Sequence, residues 1–294
     1  MNPLELVKLT ALMGRTSGSP EVKIGLIDGP VMTQHPDLAG EHLREIPGKN
    51  GGTCTRATST ACLHGTFVAG ILSAKRNSSA PAICPNCTLL IRPIFAETIS
   101  GSEQMPSAMP KELAAAIIEC IDAGARVINL SLALAQPSTK GEQALDEALN
   151  HAVRHGVLVV AAAGNQGTLG SSAITRHPWV IPVVACTLAG RPTNESNLGP
   201  TVGRRGLSAP GEQITSLSPD GAPLIFGGTS AATPFVTGAI ALLWSAFPAA
   251  TAADVKLAVT QGQISRQKTV VPPLLDAEAA YHVLTINQKR RDMQ

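Results

Sequence analysis

The chain has 294 residues, of which 44% are hydrophobic and 15% charged, and its formal net charge is +2. This composition fits one sizeable globular domain, and no basic cluster is large enough to indicate a nucleic-acid-binding protein. No apolar run is long enough to cross a bilayer, which argues against an integral membrane protein. Only 3% of the residues are aromatic and 27 are glycine, a composition that goes with the closely packed helices and strands of α/β folds.

The first thirty residues contain a helix, a strand and the first candidate functional residue. The start, residues 1–5, lacks the basic and apolar segments of a signal peptide, which predicts a cytoplasmic protein if Met1 is the natural start. A helix is predicted over residues 4–13, and a buried strand over residues 22–27 ends at Asp28. Open α/β sheets place functional groups at the carboxyl ends of such strands. The alternative is an Asp-Gly pair that only forms a turn.

His64 is predicted to open a second, small-residue helix over residues 64–72. A helix N-terminus disfavours an imidazolium, so a histidine in the first turn of a buried helix needs a carboxylate partner or a functional reason. The remaining histidines lie in polar or surface contexts and are assigned no role: His35, His42, His151, His155, His177 and His282.

The central part of the chain alternates between apolar strands and helices. Strands are predicted over residues 89–94, 127–130, 157–160 and 180–185, and helices over residues 111–123 and 141–155. This alternation is typical of an α/β fold with a mostly parallel central sheet and helices on both faces. Pro182 indicates either an edge strand or the start of a strand. Helices are also predicted over residues 230–246, 252–259 and 276–284, so that residues 1–286 form the domain and residues 287–294 a basic tail.

Ser230 follows a turn of small residues and starts the longest predicted helix. A hydroxyl at this position lies beside backbone N–H groups that have no partner within the helix. The helix dipole also favours negative charge there, which suits a serine that attacks a carbonyl and then stabilises an oxyanion. An ordinary serine N-cap would have the same local pattern.

Six cysteines are present: Cys54, Cys62, Cys84, Cys87, Cys120 and Cys186. Reduced, buried thiols are the default in a cytoplasmic protein of this length. The Cys84-Pro85-Asn86-Cys87 pair has C-x-x-C spacing, but a zinc site needs a second pair, which Cys54 and Cys62 supply only if the fold brings them close. A local disulfide is the preferred alternative, and no metal or cofactor is predicted.

Asp28, His64 and Ser230 each lie at the end of a predicted buried element, beside glycine. Acyl transfer by a serine needs a base to take its proton and a carboxylate to hold the tautomer of that base. The order Asp, His, Ser is that of subtilisin, whereas α/β-hydrolases and chymotrypsin-like enzymes have other orders. The hydrolase pattern G-x-S-x-G also fails, because Ala232 stands at its last glycine.

With these motifs the chain resembles the subtilisin-like serine proteases, or subtilases. The matching blocks appear in family order and cover residues 26–29, 64–70, 127–131, 161–165 and 228–234. The resemblance implies the three-layer subtilisin-like fold, with Ser230 as nucleophile, His64 as general base and then acid, and Asp28 orienting His64. It also implies that Asn165 donates to the oxyanion; its Gly-Asn-Gln-Gly context alone would favour a turn residue.

The resemblance further implies that an edge near Ser131 pairs with the backbone of the peptide substrate, and that residues 131–134 together with Ala162, Ala163 and Gly164 bind substrate. Ser131 is followed by Leu132, Ala133 and Leu134, where the family usually has Leu-Gly-Gly. Two added side chains predict a narrower first pocket or a shifted peptide path, and hence a restricted range of substrates. The loop over residues 73–81, which replaces a calcium-binding loop of many secreted subtilases, offers no carboxylate, so no tight calcium site is expected there.

The block around Pro30, residues 93–95 and the C-terminal region resemble the proteases that mature cyanobactins and related ribosomal peptides by cutting off leader peptides. The short interval between Asp28 and His64 leaves little room for the helical lid of the macrocyclising members, which favours hydrolysis. The expected partner is a peptide or protein substrate, including a ribosomal precursor peptide, and the expected state is a monomer. A general degradative subtilase and a catalytically silent binding module are the alternatives.

Overall fold

A seven-stranded parallel sheet forms the centre of the molecule. The computed structural model describes residues 2–38, 40–48, 52–97, 109–132, 142–261 and 269–292. The strands, in chain order, are β1 Lys23–Asp28, β2 Leu43–Glu45, β3 Thr88–Pro93, β4 Val127–Leu130, β5 Leu158–Ala162, β6 Ile181–Cys186 and β7 Leu207–Pro210. Their order in the sheet is β2-β3-β1-β4-β5-β6-β7, and every neighbouring pair is parallel. This confirms the predicted α/β class.

Helices cover both faces of the sheet. They are α1 Pro3–Leu6, α2 Leu9–Arg15, α3 Thr60–Ser73, α4 Pro110–Asp122, α5 Glu142–Arg154, α6 Ala173–Arg176, α7 Pro200–Arg205, α8 Thr229–Ala246, α9 Ala252–Gln261 and α10 Ala277–Asp292. A separate antiparallel hairpin, β8 Ile214–Leu217 and β9 Pro223–Phe226, leads directly into α8. Within the described residues, no helix combines the length and the apolarity that a membrane span requires.

The two faces of the sheet bury two separate cores. In β5, Leu158 and Val160 pack with α3 and α8, whereas Val159 and Ala161 pack with α4 and α5. Successive side chains of a strand point to opposite faces, so a strand buried on both sides must be apolar throughout. The continuous apolar runs of the sequence therefore predicted a doubly covered sheet correctly.

Two predicted boundaries differ from the structure. The helix predicted over residues 4–13 is two helices, because Lys8 has a left-handed backbone with φ of 53°. Helix α3 begins at Thr60, so His64 lies in its second turn and the prediction of a first-turn histidine was wrong. The cause is tertiary: Ala61 and Cys62 are buried, and the backbone of Ala61 packs directly against Gly29.

Two further sequence predictions can be compared with the structure, one for Pro182 and one for the C-terminal tail. Pro182 is the second residue of β6, and β6 lies between β5 and β7, so Pro182 marks the start of a strand in the interior of the sheet. Helix α10 continues to Asp292 and thus takes in residues 287–292 of the predicted basic tail. There Arg291 donates to the Asp254 carboxylate at 2.7 Å.

The cysteines divide into two groups. Cys54 and Cys62 form a disulfide that closes the loop before α3 onto the first turn of that helix. The others are free thiols buried in the core: Cys84, Cys87, Cys120 and Cys186.

Candidate active site

The end of β1 and the second turn of α3 bring Asp28 and His64 together. Asp28 Oδ1 accepts a hydrogen bond from His64 Nδ1 at 2.6 Å and another from the Gly29 N–H at 2.7 Å. Asp28 is fully buried and His64 is 6% exposed. Gly65 permits this approach, because a Cβ there would meet the carbonyl oxygens of Gly29 and Pro30. A buried carboxylate on Nδ1 fixes the imidazole tautomer in which Nε2 is the basic atom.

Ser230 is the second residue of α8, whose N-cap is Gly228 with φ of 96°. Pro234 lies four residues later and has no N–H, so the Ser230 carbonyl lacks its usual intrahelical donor. Ser131, directly after β4, replaces that donor: its hydroxyl donates to the Ser230 carbonyl at 2.8 Å.

A buried chain of hydrogen bonds fixes the Ser131 hydroxyl. Asn129 Nδ2 donates to Ser131 Oγ at 2.9 Å, and Asn129 Oδ1 accepts from the Thr237 hydroxyl at 2.9 Å. All three side chains are at most 1% exposed. The carboxyl end of β4 is therefore tied to α8 at two points, through Ser230 in its first turn and through Thr237.

Asn165, three residues after β5, lies against the residue that precedes Ser230. Its Oδ1 accepts from the Thr229 N–H at 2.8 Å and from the Thr229 hydroxyl at 2.9 Å. These two bonds fix the orientation of the amide, so that Nδ2 is the atom left to donate. Among the described residues, neither Asn165 Nδ2 nor the Ser230 N–H has a hydrogen-bond acceptor.

Sheet register explains why these groups come together. Ile27 pairs with Leu130, and Leu130 pairs with Ala161, so β1, β4 and β5 end side by side. Adjacent strands lie about 4.8 Å apart. Asp28 with His64, Ser131 with Ser230, and Asn165 with Thr229 therefore occupy three neighbouring strand ends.

The pairing of His64 with Ser230 stays a prediction. Helices α3 and α8 pack against each other, and both residues lie at the carboxyl edge of the sheet. In the part of the chain that the structure describes, no hydrogen bond joins the two side chains.

The predicted substrate-binding residues form two short segments at the same edge. Leu132, Ala162, Ala163 and Gly164 are all buried, and Gly164 has φ of 106°. Ser131 is also buried, and its hydroxyl serves Ser230 as described above. Ala133 and Leu134 lie outside the described residues.

Sequence reasoning missed the polar residues that support the site: Asn129, Thr229 and Thr237. One signal was available, since an asparagine between apolar residues of a buried strand must find a hydrogen-bond partner. The proline four residues after Ser230 was a second signal, because it predicts an external donor for the Ser230 carbonyl.

One group of described residues has metal-ligand atoms close together, namely Cys54, Cys62 and Glu97, within 4.8 Å of one another. Its two sulfurs are joined in the disulfide, so neither is a thiolate. The Glu97 carboxylate accepts from the N–H groups of Thr55 at 2.6 Å and Arg56 at 2.9 Å. In this oxidised form the group is a structural link between a loop and α3.

Comparison with known proteins gives concordant results. The profile of the subtilase family matches residues 19–271. Subtilisin amylosacchariticus from Bacillus subtilis subsp. amylosacchariticus is 33% identical over 258 residues, which cover 85% of this chain and 62% of that protein. The chain thus spans about three fifths of the length of this relative and of several other curated subtilisins.

Two solved structures extend the likeness. A mutant of the protease domain of PatA is 30% identical with a TM-score of 0.83, and the match covers 92% of this chain and 97% of that one. The prenylagaramide maturation protease PagA is 28% identical with a TM-score of 0.80, over 94% of this chain and 98% of that one.

Proposed function

The chain belongs to the subtilase family, and on that premise we propose that it is a serine endopeptidase that hydrolyses peptide bonds. The observation that carries the proposal is the buried hydrogen bond between Asp28 and His64, which lies beside the strand end that holds Ser230. Fully buried carboxylates are rare without a strong partner, and a histidine partner is typical of a catalytic base.

In the proposed reaction, His64 Nε2 takes the proton of Ser230 Oγ while that oxygen attacks the scissile carbonyl. Asp28 stabilises the resulting imidazolium and stays ionised. His64 then gives the proton to the leaving amine, which departs and leaves an acyl-enzyme. A water molecule attacks the acyl carbon with His64 again as base, and the proton returns to Ser230 Oγ.

The oxyanion of each tetrahedral intermediate would be held by Asn165 Nδ2 and the Ser230 N–H. Both groups lack acceptors among the described residues, and the second lies at the N-terminus of α8, where the helix dipole favours negative charge. Donors that are already oriented need no rearrangement as charge develops, which is the source of their catalytic effect.

The substrate that we propose is a precursor peptide from which a leader is removed. Two of the similar structures are maturation proteases, of patellamide and of prenylagaramide, at 30% and 28% identity. The restricted range that we propose rests on Ala133 and Leu134, which stand where the family usually has two glycines and lie outside the described residues. Between Asp28 and α3 the described residues contain a 3-10 turn and β2 but no α-helix, which favours hydrolysis over ring closure.

Labelling with a fluorophosphonate probe tests the enzymatic proposal. The wild-type protein should be labelled at one serine, and Ser230→Ala should abolish both labelling and peptide cleavage. Ser245→Ala is a matched control, because Ser245 is in the last turn of the same helix and, among the described residues, bonds only to the Ala241 carbonyl and, weakly, to Cys87. A wild-type protein that stays unlabelled would instead support the silent binding module.

Mass spectrometry of products from a peptide library tests the proposed specificity. A few related cleavage sites are expected, together with poor hydrolysis of denatured casein. Broad cleavage of casein would favour the degradative alternative.

We further propose that the protein is a monomer, and gel filtration tests this. We also propose a cytoplasmic location, which suits the four free buried thiols but not the Cys54–Cys62 disulfide, because disulfides are rare in that compartment. Thiol trapping in freshly lysed cells tests it, and the proposal requires the Cys54–Cys62 pair to be reduced there.

A further inference from the structure

Asn197 forms several hydrogen bonds with residues 163–168, the loop that contains Asn165. It lies between β6 and β7, more than thirty residues along the chain from Asn165. Its Oδ1 accepts from the N–H groups of Gln166 and Thr168, each at 3.1 Å, and from the Thr168 hydroxyl at 3.0 Å. Its Nδ2 donates to the Ala163 carbonyl at 3.2 Å and to Gln166 Oε1 at 2.6 Å.

These bonds clamp the two peptide groups that flank Asn165. The Asn197 N–H donates to the Gly164 carbonyl at 2.8 Å, which holds the peptide before Asn165. Asn197 Oδ1 accepts the Gln166 N–H, which holds the peptide after it. Fixing both peptide planes fixes the φ and ψ of the residue between them, since each plane is rigid.

The loop is built around this clamp. A Cβ at Gly164 would collide with Asn197 Nδ2, and Gly164 also has φ of 106°, a conformation that other residues rarely adopt. On the opposite side, the Asn165 side chain is oriented by Thr229. Thr229 therefore sets the direction of the Asn165 amide, and Asn197 sets the position of its backbone.

We propose that Asn197 is a positioning residue for the oxyanion hole, acting through Asn165. The proposal rests on the proposed peptidase function. Asn165 Nδ2 stabilises the oxyanion only if it stands within hydrogen-bond distance of the developing charge, and a displacement of about 1 Å is enough to lose most of that effect. Asn197 affects kcat by preventing this displacement and makes no contact with substrate.

A double-mutant cycle on a chromogenic peptide anilide that the wild-type protein cleaves tests the proposal. Asn165→Ala should lower kcat by about 10²–10³-fold, the range for an oxyanion donor measured in a subtilisin. Asn197→Ala should lower kcat by about 10–100-fold with KM changed less than about threefold. Because Asn197 acts through Asn165, adding Asn197→Ala to Asn165→Ala should lower kcat by no more than about threefold further.

Two other variants complete the experiment. Asn150→Ala removes an exposed asparagine that bonds Asp146 within α5 and His177 after α6, away from Asn165, and should leave kcat unchanged. Asn197→Asp keeps the shape and the bonds accepted by Oδ1 but sets a carboxylate oxygen against the Ala163 carbonyl and Gln166 Oε1, so it should also lower kcat, by a factor that likewise disappears without Asn165. It serves as the test if Asn197→Ala does not fold.

The outcomes separate clearly. Equal kcat losses with and without Asn165, or an unchanged kcat in Asn197→Ala, overturn the positioning role while the peptidase function stands. If both Asn197 variants fail to fold, the residue is a folding determinant and the positioning role is also overturned. A wild-type protein that is neither labelled nor active overturns the proposed function, and the positioning role falls with it.

Discussion

The loop of Asn165 and the surroundings of Arg76 are both held by one polar side chain, but they differ in whether every polar atom has a hydrogen-bond partner. In each, one polar side chain holds backbone segments that are distant in sequence. The Arg76 guanidinium donates to the carbonyls of Met13, of Thr16 at 2.9 Å and of Ile83 at 3.3 Å. At the active edge, by contrast, Asn165 Nδ2 and Asp28 Oδ2 are left without partners among the described residues.

The difference indicates that the Arg76 region contributes mainly to stability and the active edge mainly to function. Closing every hydrogen bond gains stability, because an unpaired buried polar atom costs about 1–3 kcal/mol. Asp28 Oδ2 is such a buried atom, whereas Asn165 is exposed and its Nδ2 is free because a donor that is already paired cannot bind an oxyanion. Substitutions at the active edge should therefore change rates, and substitutions around Arg76 should change stability.

Among the substitutions at the active edge, the carboxyl ends of β1, β4 and β5, Asp28→Asn should lower kcat the most. The amide would present either the wrong group to His64 Nδ1 or no charge to stabilise the imidazolium, and kcat should fall by about 10⁴-fold. Steady-state kinetics measure it, with Asp220→Asn as the control because Asp220 is exposed and accepts a hydrogen bond from the Ala222 N–H two residues away. A melting temperature that stays within a few degrees would confirm that the loss is one of rate.

Ser131→Ala should give a smaller loss at the same edge. The Ser230 carbonyl would lose the donor that compensates for Pro234, and Asn129 Nδ2 would lose its acceptor. Loosening of the first turn of α8 should lower kcat by about tenfold, in proportion to roughly 1.4 kcal/mol. Comparison with Ser245→Ala, in the same helix, measures the effect of losing a hydroxyl alone, and equal kinetics of the two variants would refute the role of Ser131.

Arg76→Ala should show the opposite pattern. Three carbonyls lose a charged donor at a partly exposed site, which should cost about 1–2 kcal/mol and lower the melting temperature by about 3–6 °C, with kcat unchanged. Arg76→Lys should recover only part of the loss, since one ammonium cannot match the spread of a guanidinium.

The loop over residues 73–81, which contains Arg76, is also the loop in which the sequence predicts no tight calcium site. Lys75 Nζ donates to the Pro36 carbonyl at 2.6 Å, so two side-chain cations already serve carbonyls around this loop. A chelator should leave the melting temperature of the wild-type protein unchanged. A clear decrease with chelator would show that a metal ion contributes there after all.

Lys256, like Arg76, donates to backbone carbonyls, but its charge can be titrated, and its expected effect on the melting temperature is the smallest of those considered. Its ammonium donates to the carbonyls of Pro178 at 2.7 Å and Trp179 at 2.9 Å, and burial together with the charge of Arg205 lowers its pKa from 10.5 to about 8. Between pH about 8 and 10.5 the unfolded chain thus binds more protons at this group than the folded one, so its contribution makes stability increase with pH.

Lys256→Met tests this contribution. The variant should lack the corresponding rise, which we expect to be about 1–2 °C in melting temperature between pH 8 and 10. Thermal melts of both proteins at matched ionic strength measure the difference. Parallel pH profiles would contradict the lowered pKa.

Local sequence patterns predicted most elements of the sheet, because the strands buried on both faces are continuously apolar. They did not predict β2, β7 or the β8–β9 hairpin. In β9 the residues alternate between exposed and half-buried positions over only four residues, a pattern too short to stand out. The start of α3 was also missed, since it depends on the packing of Ala61 against Gly29 and not on a local cap.

For the active site, the sequence by itself determined which residue types are available and in what order: Asp28, His64, Asn165 and Ser230. Asp28 and Ser230 lie at the ends of strongly apolar elements that are recognisable locally, whereas His64 lies inside α3 and Asn165 was identified through the family resemblance. Only the tertiary structure decided that Ser131 replaces the donor missing at Pro234 and that Asn197 clamps the loop of Asn165. Those hydrogen bonds join residues about 30 to 100 positions apart, and they depend on the pairing of β4 with β5 and of β5 with β6, which no local pattern encodes.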